Sequence, residues 1–314
     1  MTKLLVTGGC GFIGSCFIRH VLKKYPDYKI INLDALTYCG NKENLDDIEN
    51  NSNYTFIHGN ICDKKLVDKI METVEVVVNF AAETHVDNSI MSPEIFIKTN
   101  VEGTLNLLQG ARKYNIKKFL QVSTDEVYGS LDEEGCFTED SPIAPNSPYS
   151  ASKASADMLV RAYNKTYGVP TVITRCSNNY GPYQYPEKLI PLSISKLLKN
   201  EKIPVYGNGE NIRDWIYVYD HCEAIDLVLH KGKIGEVYNI GSNNEKSNIE
   251  IIKIILDTLN MDDSYIEFVQ DRAGHDKRYS ICNKKIVSEF GWEPKMEFKK
   301  GMEETINWYI NHFQ

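Results

Sequence analysis

Two short stretches combine residue types that can move protons. Ser123-Thr-Asp-Glu-Val-Tyr-Gly129 sets two carboxyl groups, Asp125 and Glu126, directly after a hydroxyl pair. The apolar run 118–123 before it reads as a strand, on which adjacent side chains point to opposite faces. An acid pair at the end of a buried strand is poor packing, so its value has to be chemical. Two carboxyls in one site split their pKa values, leaving one protonated as an acid and the other ionised as a base. Tyr149-Ser-Ala-Ser-Lys153 is the second stretch, on a segment that predicts a helix over 149–167. Its i, i+4 spacing puts phenol and ammonium on one face. There the cation would lower the phenol pKa and make it usable as a base. Spacing alone is also met by ordinary surface Tyr–Lys pairs, and the surroundings must decide.

These groups need a frame that brings them to one edge. Lys3-Leu-Leu-Val-Thr7 is a short apolar strand, and Gly8-Gly-Cys-Gly-Phe-Ile-Gly14 turns it into an amphipathic helix running to about Lys24. Strands follow at 29–33 and 54–58, then a helix near 63–72. The nearly continuous apolar run 74–80 suits a strand buried on both faces. Helix 94–112, strand 117–123, helix 149–167 and strand 169–174 keep up the alternation. The pattern predicts an α/β fold with a doubly wound parallel sheet of Rossmann type. Past Arg175 the regularity weakens, with prolines at 182, 186, 191 and 204. A helix fits near 189–199, a returning strand at 237–241, and helices at 248–259 and 299–312. The expected organisation is a nucleotide-binding domain over 1–174 plus about 216–241. A smaller C-terminal substrate-binding lobe would be assembled from 175–215 and 242–314.

Gly8, Gly11 and Gly14, with Phe12 and Ile13 between the last two, have the spacing of a dinucleotide turn. Such a turn lets backbone approach a pyrophosphate and aims a helix N-terminus at it. Asp34 ends the second strand, 20 residues past Gly14. There a carboxylate can hold a ribose 2′-hydroxyl and would repel a 2′-phosphate, which favours NAD over NADP. Asp34 alone could equally start a loop. Asn79-Phe-Ala-Ala-Glu83 and Thr99-Asn100 supply small residues after the fourth strand, across which a cofactor could lie flat.

The bulk properties narrow the field. The chain has 314 residues, 42% hydrophobic and 25% charged, the profile of a soluble globular protein. A net charge of −8 argues against nucleic acid as partner. No apolar run reaches the roughly 18 residues of a membrane span, and the N-terminus lacks the pattern of a cleaved signal, so a cytoplasmic protein without a membrane partner is expected. Eight cysteines show no C-x-x-C pair and no clustering with His at metal spacing, so free thiols and no metal are expected.

Taken together, the TGGxGFIG turn, Asp34 and YxxxK resemble the extended short-chain dehydrogenase/reductase family. STDEVYG, PYSASKASAD, RCSNNYGPYQYPEKLIPL, VYGNGENIRDW and DRAGHDKRY are similar to the branch of sugar-nucleotide 4,6-dehydratases that act on dTDP-glucose. The likeness runs from residue 7 to residue 279. It implies that Thr124 binds the sugar 4-hydroxyl, Asp125 is the general acid, Glu126 the base, and Tyr149 with Lys153 the group that takes the hydroxyl proton. It implies further cofactor contacts from Ala35, Leu36, Thr37, Asn60, Ile61, Ala81, Ala82, Glu83, Thr99 and Asn179. Substrate contacts would come from Asn178, Lys188, Leu189, Pro204, Tyr206, Arg213, Asn248, Arg272 and His275, with His85 between sugar and cofactor. Simpler readings exist: an ion-pair network for Arg213, turn packing for Tyr206, a loop position for His275, and a capping box, Ser247-Asn-Ile-Glu250, around Asn248.

The resemblance implies NAD-dependent conversion of dTDP-glucose to dTDP-4-keto-6-deoxyglucose, a step of deoxysugar (rhamnose) biosynthesis, in a homodimer. The alternatives are a UDP-sugar 4,6-dehydratase, a sugar-nucleotide C4 epimerase, or a non-catalytic NAD-binding protein. The acid pair speaks against an epimerase, and the full Thr-Asp-Glu, Tyr, Lys set against a protein that only binds. Two positions depart from the family pattern: Asn60 stands where Asp is usual, and Asn88 where Arg is usual. Asn60 can still accept a hydrogen bond from an adenine amine.

Overall fold

A computed structural model describes residues 2–313. The strands are β1 Lys3–Thr7, β2 Lys29–Asp34, β3 Tyr54–His58, β4 Val76–Asn79, β5 Lys118–Thr124, β6 Thr171–Cys176, β7 Asn178–Tyr180, β8 Ile203–Tyr206, β9 Ile212–Tyr217, β10 Val237–Ile240, β11 Glu245–Ser247 and β12 Ile266–Val269. The helices are α1 Phe12–Lys24, α2 Lys64–Met71, α3 Val86–Met91, α4 Pro93–Phe96, α5 Thr104–Lys113, α6 Pro148–Tyr167, α7 Leu189–Leu198, α8 Val218–Lys231, α9 Asn248–Thr258, α10 Lys284–Phe290 and α11 Phe298–Phe313. Seven strands form one all-parallel sheet in the order β10-β6-β5-β4-β1-β2-β3. This is the doubly wound α/β architecture anticipated from the alternation. The order reverses between β1 and β4, and a crevice opens there beyond the carboxyl ends of the strands.

Period-two alternation sends successive strand residues to opposite layers. Leu4 and Val6 join Phe17 and Ile225 on the α1/α8 side, whereas Leu5 joins Val77, Phe119 and Leu107 on the other. A third core, with Tyr180, Ile190, Ile251 and Met302, gathers α7, α9 and α11 around the small sheets β11-β9-β7 and β12-β8. No helix among the described residues is long and apolar enough to cross a membrane. All eight cysteines are free thiols.

Several elements differ from expectation, each for a local reason. The strand expected at 74–80 narrows to β4, and the one at 169–174 moves to β6, because Pro170 has no N–H for the ladder. Helix α8 went unread although Val218, Cys222, Ile225 and Leu229 recur at helical spacing and are buried. The short strands β8, β9, β11 and β12 carry polar residues and show no clear alternation. The helix expected at 94–112 is interrupted by a π-helical stretch over Ile97–Gly103. The wider turn presents Asn100, which pins the loop after β4: it accepts from the Glu83 N–H at 2.8 Å and donates to the Glu83 carbonyl at 3.1 Å and Ser152 Oγ at 2.8 Å.

Helix α6 begins with a capping box, Ser147 with Ser150, and Pro148 at its first position, and ends at Gly168 in the left-handed region. Tyr149 and Lys153 are thereby fixed in its opening turns. Beneath them Asp157 meets Arg175 of β6 at 3.0 Å, both side chains almost fully buried, and the guanidinium also donates to the Tyr128 hydroxyl at 2.9 Å. Replacing Asp157 strands a buried cation. Asp157→Ala should lower unfolding free energy by about 3–5 kcal/mol, measured by urea denaturation. A loss below ~1 kcal/mol would show that the pair does not hold α6 to the sheet.

Candidate active site

The cleft begins at the glycine turn. Gly8 lies at φ +69°, and a Cβ there would come within 2.7 Å of the Ala81 nitrogen. A Cβ on Gly14 would meet the Gly8 carbonyl at 2.4 Å, so α1 can approach β1 this closely only without side chains. The first turn of α1 has no side-chain cap and no acidic residue, leaving its N–H groups and positive dipole end for an anion. Asp34 accepts from the Cys10 N–H and the Leu36 N–H, both at 2.8 Å, and each oxygen keeps a lone pair for a ribose hydroxyl. Burial pushes this carboxyl upward, and the two backbone bonds hold it down.

From there one cleft follows the carboxyl ends of the strands. Ala35, Thr37, Asn60 and Ile61 line the β2–β3 end, then Gly8, Gly11, Phe12, Ile13 and Gly14. Ala81, Ala82, Glu83 and Thr99 continue the wall to Thr124, Asp125, Glu126, Tyr149, Lys153, Asn178, Asn179 and Lys188. The residues suit a dinucleotide: an anion site in the middle and a carboxylate at one end, with small residues in between. Asn60, where an acid is usual, accepts from the Cys62 N–H at 2.8 Å and faces the cleft.

The acid pair is not on the strand. Thr124 is the last residue of β5, and Asp125–Tyr128 form a 3₁₀ turn, capped where Thr124 Oγ1 accepts from the Glu126 N–H at 3.2 Å. Residues in such a turn are spread by about 120° rather than 180°, so both acids can line one cleft. Gly129 ends the turn at φ +85°, where a Cβ would strike the Ala144 carbonyl at 2.4 Å. Asp125 is buried; one carboxyl oxygen takes a long hydrogen bond from Thr124 Oγ1 at 3.3 Å, and Oδ2 has no partner. Burial, then the Glu126 charge, lifts its pKa well above the usual carboxylate range. Burial also raises Glu126, but Lys188, Arg213 and Arg272 pull it back. The pair therefore titrates apart, with Asp125 holding the proton and Glu126 the charge.

The expected lowering of the Tyr149 phenol by Lys153 is not what this geometry produces. Burial and the Glu126 charge push the phenol well up. Lys153 Nζ donates to the Val122 carbonyl at 2.8 Å, which leaves two further donors, and its own pKa is lowered by burial.

The other anticipated residues form a second group outside this wall. Arg213 is buried, donates to the Asp276 carbonyl at 3.0 Å and lies over the Tyr279 ring at 4.2 Å, so an ion-pair network does not account for it. Arg272 grips Asp87 with Nε at 2.6 Å and a terminal nitrogen at 2.9 Å, and stacks on Tyr206 at 5.1 Å. His275 pairs with Asp271 at 2.7 Å and meets Tyr206 edge-on. His85 accepts from the Asn88 N–H through Nδ1 at 3.2 Å and turns Nε2 toward Glu187 at 3.7 Å and Asp87 at 3.9 Å. Leu189 opens α7, Pro204 lies on β8, and Asn248 follows the Ser247–Glu250 capping box, which is present as read. Leu36 sits at φ +48° beside Asp34 but not in the wall. Asn88 is exposed on α3, away from the cleft wall. Tyr38, Thr84, Gln184, Tyr185 and Glu187 were not anticipated near the site; the Pro182/Pro186 bracket around Gln184 and Tyr185 was the available signal.

Comparison with known proteins agrees with this geometry. Residues 5–305 match a family model described as GDP-mannose 4,6 dehydratase. A dTDP-glucose 4,6-dehydratase of Xanthomonas campestris is 49% identical over 99% of this chain and 94% of its own. The crystal structure of dTDP-glucose 4,6-dehydratase from Bacillus anthracis in complex with NAD superposes with a TM-score of 0.93, at 53% identity, over 99% of this chain and 97% of that one. A UDP-glucose 4-epimerase of Thermotoga maritima is nearly as close in shape, TM-score 0.92 over 100% of both chains, but at 30% identity. Backbone shape hardly separates the two groups. The sequence identity does, and the acid pair at the end of β5 is the residue-level counterpart: the chain belongs to the dTDP-glucose 4,6-dehydratase family of extended short-chain dehydrogenases/reductases.

Proposed function

We propose that this protein is an NAD-dependent lyase that converts dTDP-glucose to dTDP-4-keto-6-deoxyglucose. The observation that carries the reading is a protonated, buried Asp125 next to an ionised Glu126 in one cleft. NAD, when bound, would accept hydride from C4 and return it to C6, so it ends each cycle unchanged. Thr124 holds the sugar 4-hydroxyl and Tyr149 takes its proton, with a free Lys153 donor turned toward the phenol to offset the burial that keeps it protonated. The 4-keto group acidifies C5–H, and Glu126 removes that proton. The C6 hydroxyl is a poor leaving group until Asp125 protonates it, and water departs. Lys188, Arg213 and Arg272 supply positive charge for the diphosphate, with Asn178, Leu189, Asn248 and His275 beside it, Pro204 and Tyr206 at the base, and His85 on the sugar side. Thymine and uracil differ by one methyl, worth about 1 kcal/mol of apolar contact.

Assembly belongs to the same proposal. Met91, Ile95, Ile97 and Met158 are exposed apolar residues on α3, α4, the π-helical stretch and α6. Such a face suits the seam of a cytoplasmic homodimer.

Incubation with dTDP-glucose should yield the alkali-induced absorbance of a 4-keto-6-deoxy sugar, with UDP-glucose converted more slowly; activity on neither would sink the dehydratase reading. Glu126→Gln should lose about 10²–10⁴-fold in turnover while reduced nicotinamide accumulates on the protein. Normal turnover in that variant would remove Glu126 from the role of C5 base. In Lys188→Met the largest attraction holding Glu126 ionised is gone, so its pKa rises and the acid-side limb of the kcat–pH profile moves to higher pH. A limb that stays in place, or moves down, would contradict that electrostatic assignment.

A further inference from the structure

Two loops reach toward each other from opposite sides of the cleft. One, residues 35–41, leaves β2; the other, residues 181–188, joins β7 to α7. Tyr38 of the first and Tyr185 of the second pack edge to face, with ring centroids 5.7 Å apart and planes at 88°. Thr84, in the loop after β4, ties into both: its Oγ1 is hydrogen-bonded to the Tyr38 hydroxyl at 2.9 Å, and its carbonyl accepts from Lys188 Nζ at 3.1 Å. In the sheet, the ends of β1, β4 and β5 lie between β2 and β6, whose chain runs on into the second loop. A contact joining these loops therefore crosses the whole stretch where a dinucleotide would lie, rather than closing one corner.

Both loops are anchored at their roots and free to hinge between them. The Asn41 N–H donates to the Cys10 carbonyl at 3.1 Å, and Gln184 Nε2 donates to the Asn179 carbonyl at 2.9 Å. Leu36 at φ +48° and Tyr183 at φ +70° hold backbone conformations that non-glycine residues adopt only at a cost. Such strained positions at loop roots are natural points for a change of φ and ψ.

We propose that Tyr38, Thr84 and Tyr185 form a strap over the bound dinucleotide and set how fast it leaves. This rests on the reading of the cleft as an NAD site. The chemistry supplies the reason. A cycle that removes a hydride and then returns it gains nothing from exchanging cofactor, and it is aborted whenever the reduced form escapes halfway. Closure also keeps water from the reacting carbons while the sugar is oxidised. Tyr185 is 39% exposed, so the strap lies at the rim of the cleft, where it can open without disturbing the core.

The test measures release of bound NAD into excess radiolabelled NAD, together with the NAD content of the protein as isolated. Tyr38→Ala and Tyr185→Ala should each release NAD on the order of 10- to 100-fold faster, the effect of losing an aromatic pair and a hydroxyl bond. The double variant should be little faster than either single, because both remove one contact. Phe268→Ala, exposed on β12 and outside the strap, should release at the wild-type rate. Wild-type release from both tyrosine variants overturns the strap. A wild-type protein that neither carries nor takes up NAD overturns the reading of the cleft, and the strap with it. If an alanine variant does not fold, Tyr38→Phe and Thr84→Val carry the test, since each deletes the hydroxyl bond and keeps the shape: faster release in both supports the strap, unchanged release in both overturns it.

Discussion

The carboxyl of Asp125 is buried beside a second carboxyl, an arrangement electrostatics disfavours and surrounding structure must compensate. Thr124 caps the turn that holds the pair, and Gly129 closes it where no side chain fits. Lys188, Arg213 and Arg272, from segments distant in the chain, keep Glu126 charged, while no cation comes as strongly to the aid of Asp125. Two neighbouring acids of similar intrinsic strength become an acid and a base through placement alone. The parallel sheet makes this possible, since β5 ends at the crevice where the strand order reverses.

The cleft floor is tied together by polar groups that a purely apolar sheet would lack. Thr7 donates to Asn79 at 2.5 Å, and Asn79 donates to Gln121 at 2.8 Å, so adjacent strands β1, β4 and β5 share one buried row. Asn100 from the π-helical stretch then fixes Glu83, one residue before Thr84. Buried networks of this kind specify a single arrangement because each unpaired member is costly. The rigidity reaches from the strand ends to the loop that both sides of the strap use.

Much of this was legible before any coordinates. The glycine turn, Asp34, the Tyr–Lys helix and the acid pair were all readable because each depends on neighbours within a few residues. Helix α8 shows the opposite failure, a periodic signal passed over among prolines and short strands. The position of the acids on a 3₁₀ turn was misread as strand, because an apolar run does not announce the residue at which its ladder stops. The π-helical stretch was invisible for a similar reason: its one additional residue per turn answers to packing, not to local preference.

By itself, the order of amino acids determined the parallel α/β frame, the dinucleotide turn and the chemical identity of the reacting groups, all encoded in local spacing and periodicity. Tertiary structure alone decided which carboxyl keeps its proton, because burial and the reach of three distant cations are sums over the whole fold. It also decided that Arg272 faces Asp87 and that Tyr38 meets Tyr185, pairs separated by 185 and 147 positions. Contacts at that distance leave no trace in local sequence, since they depend on how the sheet is ordered and not on any neighbouring residue.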